Sequence, residues 1–515
     1  MLDRTSRDLE GHLLVHITEA PTDRQFAYID GAPDQSATGF FDAINPANGE
    51  VIAQVAKSDA ADVDRAVQAA TRAQHEWFGW EPGRRVKVLL AWADLVESHH
   101  AKLAEIDTRN MGRTIRDSLG DGAASARLIR YWSGQVDRMT GTQVPGNAGH
   151  LSYTTREPLG VIGVIMPWNG PVGSFCSRVA PALACGNAVV VKPSEMSPLS
   201  ALVLARLGAE AGFPAGLVNV VTGGGEVGAA VAEHPGIGGI TFTGSVPTGR
   251  SIARAAADTF KKSVLELGGK SPNIVFEDAD LETAGRAAVW GIFNNAGQVC
   301  VAGTRLLVQR SIASDFVEAL RQRAARVRVG DPMDPNNHVG PLASQQQFDR
   351  VQSYLKIARD EGAQILHGGG TPPGTDPNGL FVEPTVLTDV DPSMRVAQEE
   401  IFGPVLSILV FDDEDQAVEL ANNVEFGLSA NIWTRDLGRM HRMSQLVQAG
   451  TIWGNTMRMY GPGLWFGGIK SSGVGSAYAE GAIDGSTRLR RTTIRFDEAV
   501  PTPSWNDLDD DQQTR

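Results

Sequence analysis

The order of apolar and polar positions changes character near residue 150. Before it, apolar residues recur at helical spacing. Asp59 through Trp77 is predicted as a helix with Val63, Ala66, Val67 and Ala70 on one face. Arg84 to Leu95 and Ala101 to Met111 predict further amphipathic helices, and Asp121 to Thr140 a longer one. Ala27 to Gly31 and Phe40 to Pro46 read as short strands closed by turn residues, behind a polar lead-in that reaches about Gln25. Beyond residue 150, Leu151 to Glu157 is a polar strand, ended by Pro158-Leu159-Gly160. Strands then alternate with helices. Strands are predicted at Val161 to Met166, Ala188 to Lys192, Val218 to Val221 and Gly239 to Phe242. Helices are predicted at Ser174 to Leu183, Ser200 to Ala211, Val227 to Glu233 and Thr248 to Thr259. Such alternation means βαβ units, hence an α/β fold with a parallel sheet covered on both faces. Ligands of these sheets bind at the carboxyl ends of the strands.

Length and charge narrow the possibilities. A chain of 515 residues is too long for one core, so two or three domains are expected. The formal net charge of −14 argues against nucleic acid or an anionic membrane as partner, because both attract basic surfaces. The longest apolar runs, such as Gly160 to Met166, are strand-length and too short to span a bilayer. The sequence at Met1 to Thr5 lacks a basic region followed by an apolar core, so no signal peptide is expected. Three cysteines, Cys176, Cys185 and Cys300, make no disulfide framework and no C-x-x-C pair. A reducing compartment, the cytoplasm, is expected, and no metal site is predicted.

The distinctive residues fall at strand ends and in turns. Gly297-Gln298-Val299-Cys300-Val301-Ala302-Gly303 sets one thiol among small residues after an apolar segment. A thiol there is a candidate nucleophile, although a lone Cys is more often a small buried hydrophobe. Asn169, in Pro167-Trp168-Asn169-Gly170-Pro171, carries an amide that can donate to an oxyanion or simply fill a turn. Lys192-Pro193-Ser194-Glu195 pairs a cation with an acid, suited either to ribose hydroxyls or to a solvated loop. Thr243-Gly244-Ser245-Val246-Pro247-Thr248-Gly249 opens a helix and can take an anion. Glu266, ahead of Gly268-Gly269, is a candidate general base or a capping carboxylate. In Glu399-Glu400-Ile401-Phe402-Gly403-Pro404 an acid and an aromatic ring two residues apart share one face if the backbone is extended.

These motifs, together with Phe466-Gly467-Gly468-Ile469-Lys470-Ser471-Ser472-Gly473, occur in the order and spacing of the NAD(P)-dependent aldehyde dehydrogenase superfamily. The chain resembles that family over roughly residues 25 to 496. The resemblance implies that Cys300 attacks an aldehyde, that Asn169 and the Cys300 amide hold the oxyanion, and that Glu266 activates the water that hydrolyses the thioester. It assigns Lys192 and Glu195 to the adenosine ribose, and Gly244, Ser245 and Gly249 to the pyrophosphate turn. Glu400 and Phe402 fall to the nicotinamide ribose, while Ile165, Trp168, Ser194, Gly225, Phe242 and Leu267 line the same cleft. NAD is expected over NADP, since Glu195 repels a 2′-phosphate. The implied architecture is a Rossmann-type coenzyme domain (1–138 and 158–267), a catalytic domain (268–483) and a small β oligomerisation arm (139–157 and 484–500). Residues 501–515 are expected to be a disordered acidic tail. A homodimer or homotetramer with a small-molecule aldehyde substrate follows from the same resemblance.

Three rival readings stay in view beside a thiol hydrolase, which Cys300 alone would allow but for which no His sits in a matching motif. A CoA-acylating aldehyde dehydrogenase has no need of Glu266; a silent family member would lack Cys300, Glu266 or Asn169; a plain dinucleotide-binding module leaves Cys300 and the C-terminal half unexplained. On the substrate side, Gly170, Gly173, Ser174 and Ser177 share one helix face and are all small. With Tyr460, Trp465 and Phe466 opposite, and Val299 and Val301 beside the nucleophile, the small face either opens a roomy tunnel for a bulky aromatic, cyclic or branched aldehyde or serves close helix packing. Arg458 is either a surface residue or a ligand for a substrate carboxylate.

Overall fold

The computed structural model describes residues 24–37, 39–146 and 149–496. Most of the polar lead-in and the expected acidic tail, 501–515, lie outside the described residues. Two parallel-cored sheets dominate. In the first, of eight strands, the order is Gly473–Val474, Lys262–Glu266, Gly239–Thr243, Val161–Ile165, Ala188–Lys192, Val218–Val220, Tyr28–Ile29 and Ala32–Pro33. The five from Lys262–Glu266 to Val218–Val220 run parallel. The strand Val161–Ile165 therefore has Gly239–Thr243 on one side and Ala188–Lys192 on the other. The order reverses there, and a crevice opens at the carboxyl ends.

Burial explains why these strands read as continuous apolar runs. Val189, Val190 and Val191 are fully buried. A strand covered on both faces has no polar side to show. Each such side chain contributes about 1.5–3 kcal/mol of burial. The covering helices include Ala60–Gly79 from the N-terminal region and Pro171–Ala184, Leu199–Glu210 and Gly225–Glu233 from between the strands. Asp59 caps Ala60–Gly79 through a reciprocal box with Asp62. The Trp77 indole N–H donates to Leu183 O at 2.8 Å, so a large ring enters the core with its polar atom satisfied.

The second sheet has seven strands, ordered Gln364–His367, Thr385–Thr388, Val405–Phe411, Arg305–Gln309, Pro272–Val275, Ser429–Trp433 and Thr451–Gly454. Only Gln364–His367 is antiparallel to its neighbour. A third, antiparallel sheet of three strands stands apart, with His150–Pro158 between Gln143–Val144 and Thr487–Arg495.

Two of the shifts in element boundaries have a plain physical cause. The helix expected at Asp121 to Thr140 runs Ile115–Ser133. Gly112 ends the preceding helix in a left-handed conformation (φ 83°), which frees the chain to restart early. Gly122 sits inside the helix because a Cβ there would meet His100 Cβ at 2.6 Å, so close packing outweighs the propensity cost of glycine. The helix expected from Ser174 starts at Pro171, in the first-turn position that proline favours.

Candidate active site

The strand Val161–Ile165 runs on into Met166-Pro167-Trp168-Asn169, and Pro171–Ala184 turns the chain back. Asn169 is fixed by two bonds. Its side-chain N–H donates to Gln298 O at 2.8 Å, and its own carbonyl accepts from Asn295 Nδ2 at 3.0 Å. Asn295 Nδ2 also reaches Gln298 O at 3.3 Å. The amide is thus pinned to the turn that carries Cys300.

That turn is strained by design of its neighbours. The helix Leu281–Phe293 stops, and the chain passes through Asn295 and Ala296, each at φ 53°, and Gly297 at φ 72°. Non-glycine residues in this region cost on the order of 1–3 kcal/mol each and persist where packing over-determines them. At Gly297 a Cβ would lie 2.1 Å from Gly403 O, so no other residue fits. The Gln298 side chain, fully buried, accepts from Ala343 N at 2.9 Å. Cys300 emerges partly buried. Burial, with the Glu400 and Glu266 carboxylates nearby, pushes its thiol up to about 12. The resting group is therefore a thiol, and its proton needs an acceptor before it can attack.

Glu266 is the candidate acceptor in the same cleft. It is the last residue of Lys262–Glu266 and is 3% exposed. The Ala477 N–H donates to one carboxylate oxygen at 3.4 Å, and the other oxygen is buried without a partner. Burial raises its pKa to about 7, against the opposing pull of Arg178. A poorly solvated carboxylate that titrates near neutrality is a competent general base.

Cys300, Glu266 and Asn169 line one cleft of about 1270 Å³, which continues over the strand ends past Ile165, Trp168, Lys192, Ser194, Glu195, Gly225, Phe242, Gly244, Ser245, Leu267, Glu400 and Phe402. Lys192 is buried, and its Nζ lies 3.3 Å from Oε2 of Glu195, which is exposed. Ser245 caps Val246–Asp258, its hydroxyl accepting from Thr248 N at 3.5 Å. The Gly269 N–H donates to Glu400 at 3.0 Å, and burial raises that carboxyl to about 7. Trp168 and Phe402 meet edge to face with ring centroids 5.3 Å apart.

Four expectations need correction. Gly249 does not line the cleft. It lies beneath the turn, where a Cβ would meet Leu267 Cδ2 at 2.5 Å, so its smallness serves helix-to-strand packing. Glu400 and Phe402 both reach the cleft, but not by extended alternation, since Phe402 is left-handed at φ 62°. Trp465 is exposed and turned from the cleft against Gly481, and Val301 is buried behind the wall with Leu428, Trp453 and Phe466. Arg458 is neither a free surface residue nor part of the cleft lining. Its guanidinium donates to Asn294 Oδ1 at 3.0 Å and to Gly291 O at 2.6 Å.

The small face is open as expected. Gly170, Gly173, Ser174 and Ser177 line the cleft, and a Cβ at either glycine would meet nothing within 4 Å. Tyr460, Phe466 and Val299 stand there too. Sequence reasoning missed Tyr478 and Arg178, which also line it. Tyr478 packs edge-on to Phe466 at 5.8 Å, and Arg178 Nη2 donates to Thr243 Oγ1 at 2.9 Å. Arg178 follows Ser177 directly on the small-residue helix, the one signal that could have flagged it.

The model of the aldehyde dehydrogenase family matches residues 33–492. A crystal structure from Burkholderia cenocepacia, described as an aldehyde dehydrogenase, is 44% identical, covers 93% of this chain and 99% of its own, and superposes with a TM-score of 0.91. PnpE from Pseudomonas sp. WBC-3 is 42% identical over 94% of this chain and 100% of its own, with a TM-score of 0.91. An indole-3-acetaldehyde dehydrogenase solved with NAD+ is 40% identical, covers 92% and 96%, and has a TM-score of 0.89. The chain therefore belongs to the aldehyde dehydrogenase family.

Proposed function

We propose that this protein oxidises an aldehyde to its carboxylate with NAD, through a covalent adduct on Cys300. The observation that carries the reading is the convergence of Cys300, Glu266 and Asn169 on one cleft with the Lys192–Glu195 pair. The solved relatives that carry NAD support the cofactor. So does the fit of the residues. Gly225 leaves open space where a side chain would stand, Lys192 and Glu195 offer a donor and acceptors to ribose hydroxyls, and Glu400 offers acceptors to a second ribose. When bound, the nicotinamide supplies the hydride acceptor.

The chain's own residues do the rest. The Cys300 thiol loses its proton to Glu266 or to water, and the sulfur adds to the aldehyde carbon. The oxyanion of the tetrahedral adduct is held by Asn169 Nδ2, which has a second N–H beyond the one on Gln298, and by the Cys300 backbone N–H. After oxidation the adduct is a thioester. Glu266 takes a proton from water, hydroxide adds to the acyl carbon, the carboxylate leaves, and the thiol is restored. A buried base beside the thioester favours hydrolysis over transfer to CoA.

The sheet around residues 158–267 serves as coenzyme domain, 268–483 as catalytic domain, and the antiparallel sheet as oligomerisation arm of a homodimer or homotetramer. Leu489 and Ile494, exposed on the outer strand, support an arm that meets another copy. Three unpaired cysteines support a cytoplasmic setting. The open small-residue face supports a bulky aromatic, cyclic or branched aldehyde. The test is NADH formation over aliphatic, aromatic and semialdehyde substrates by wild type and Cys300→Ala. The variant should bind NAD and make no NADH; substantial turnover by it would overturn the mechanism.

A further inference from the structure

Arg458 is an arginine in an expensive place. Its backbone is left-handed at φ 50°, as is that of Asn455 at φ 52°, in the loop that lines the substrate side. Its Nε is buried without a partner, and its guanidinium lies 4.7 Å over the Trp290 ring. Both hydrogen bonds it makes go to the segment that runs into Cys300, at Asn294 Oδ1 and Gly291 O. Asn294 is oriented for this. Its Nδ2 donates to Asp117 at 2.7 Å, which leaves Oδ1 facing the guanidinium, and Asp117 is steadied by Thr114 Oγ1 at 2.9 Å. The neighbouring Met457 seats on Gly291, where a Cβ would meet its Cε at 2.2 Å. The strained segment 455–458 is therefore fastened through one side chain to the end of the helix that runs into the left-handed residues 295–297.

We propose that Arg458 is the positioning residue of the nucleophile, clamping the wall loop to the segment that carries Cys300 and supplying the cation against which its thiolate forms. This rests on Cys300 being the nucleophile. The charges acting on the thiol are the Glu400 and Glu266 carboxylates, which oppose ionisation, and Arg458, which favours it. The charges that act on the guanidinium are those of Tyr460, Cys300, Arg113 and Asp117. Among the described residues no carboxylate forms an ion pair with it, and Asp117 reaches it through Asn294. A buried guanidinium held by two neutral acceptors is short of an anion, and the thiolate of Cys300 supplies one. Arginine suits the task because its planar fork spans two acceptors while its charge stays fixed at every working pH.

The test is the pH dependence of alkylation by iodoacetamide, without cofactor, in wild type, Arg458→Met and Arg458→Lys. The labelled peptide is identified by mass, and Cys300→Ala serves as control. Arg458→Met should raise the midpoint by at least about one pH unit, or about tenfold in rate below it. Arg458→Lys, which keeps the charge, should stay within about half a unit of wild type. A wild-type profile in Arg458→Met sinks the proposal. Should that variant fail to fold, a shift of a whole unit in Arg458→Lys sinks it instead, and a retained midpoint supports it. Turnover in Cys300→Ala, by contrast, would overturn the nucleophile assignment and leave a different signature.

Discussion

The side-chain amide of Asn169 and the carbonyl of Gln298 are 2.8 Å apart, so the end of the first parallel strand is tied to the residue two before Cys300. On the proposed mechanism, oxyanion donor and nucleophile therefore move as one body. Asn295 Nδ2 reaches the same carbonyl at 3.3 Å. Asn169→Ala should consequently leave the turn standing and remove the donor. The expected result is a fall in kcat of about 100-fold or more with Cys300 still alkylated normally. A variant that keeps wild-type kcat would mean the oxyanion is held elsewhere.

Glu266 gives a pH dependence with a definite sign. Burial raises its carboxyl to about 7, and only the ionised form accepts a proton from water. The deacylation rate should rise as pH passes upward through about 7 and then level off. Glu266→Gln should release one burst of NADH per site and then stall. Stability runs the other way. A carboxyl whose folded pKa lies above its unfolded value binds its proton more tightly when folded. Its destabilising effect appears as pH rises past the unfolded value and is complete above the folded one. Glu266→Gln removes that cost, which is at most about 3 kcal/mol. Its Tm should gain on wild type between pH 5 and pH 8; a constant difference across that range would contradict the raised pKa.

The proposed coenzyme site assigns the choice between NAD and NADP to Glu195. Its carboxylate is exposed at the cleft and held 3.3 Å from Lys192. A 2′-phosphate there would meet like charge, while a ribose hydroxyl would meet an acceptor. Glu195→Ser should raise kcat/KM for NADP relative to NAD by at least about tenfold, since one lost repulsion of about 1.4 kcal/mol is worth that factor. An unchanged ratio would place the discrimination on another residue.

How much of this was legible in the sequence differs by element. The parallel strands announced themselves because burial on both faces leaves only apolar positions, and the site followed from what stands at their ends. The packing role of Gly249 was not legible because a glycine that admits a ligand and one that admits a leucine look alike in a sequence. Only the Leu267 side chain, 2.5 Å from the site of a Cβ, separates them. Arg458 was unreadable for a related reason. Its partners Asn294 and Gly291 are more than 160 residues away, and nothing local hints at the pairing. The left-handed Phe402, Asn295 and Ala296 were likewise invisible, since tertiary contacts impose a conformation their own propensities resist.

The widest departure from an ordinary pocket is the bare helix face. Gly173 lines the cleft, and a Cβ built on it would meet nothing within 4 Å. Gly170 is equally open, and Ser174 and Ser177 add only hydroxymethyl groups to the same wall. Had this face served close helix packing, its glycines would abut other atoms, as Gly122 abuts His100 at 2.6 Å. They abut none, so the space belongs to the cleft. Across it stand Tyr460, Phe466 and Tyr478, whose rings pack edge to face with centroids 5.5 and 5.8 Å apart about Phe466. A flat or branched substrate can lie between aromatic edges and a glycine floor; a two-carbon aldehyde would leave most of that volume to water. Gly173→Leu fills the floor without touching Cys300, Glu266 or Asn169. Leucine also suits the helix better than glycine, by about 1 kcal/mol, so folding is not at risk. The variant should lose at least about tenfold in kcat/KM for a benzaldehyde-type substrate, the order expected for forcing extra methylenes into an occupied space. Its activity on acetaldehyde should hold or improve. If wild type prefers acetaldehyde, or if Gly173→Leu leaves the bulky-substrate rate untouched, the open face does not set specificity.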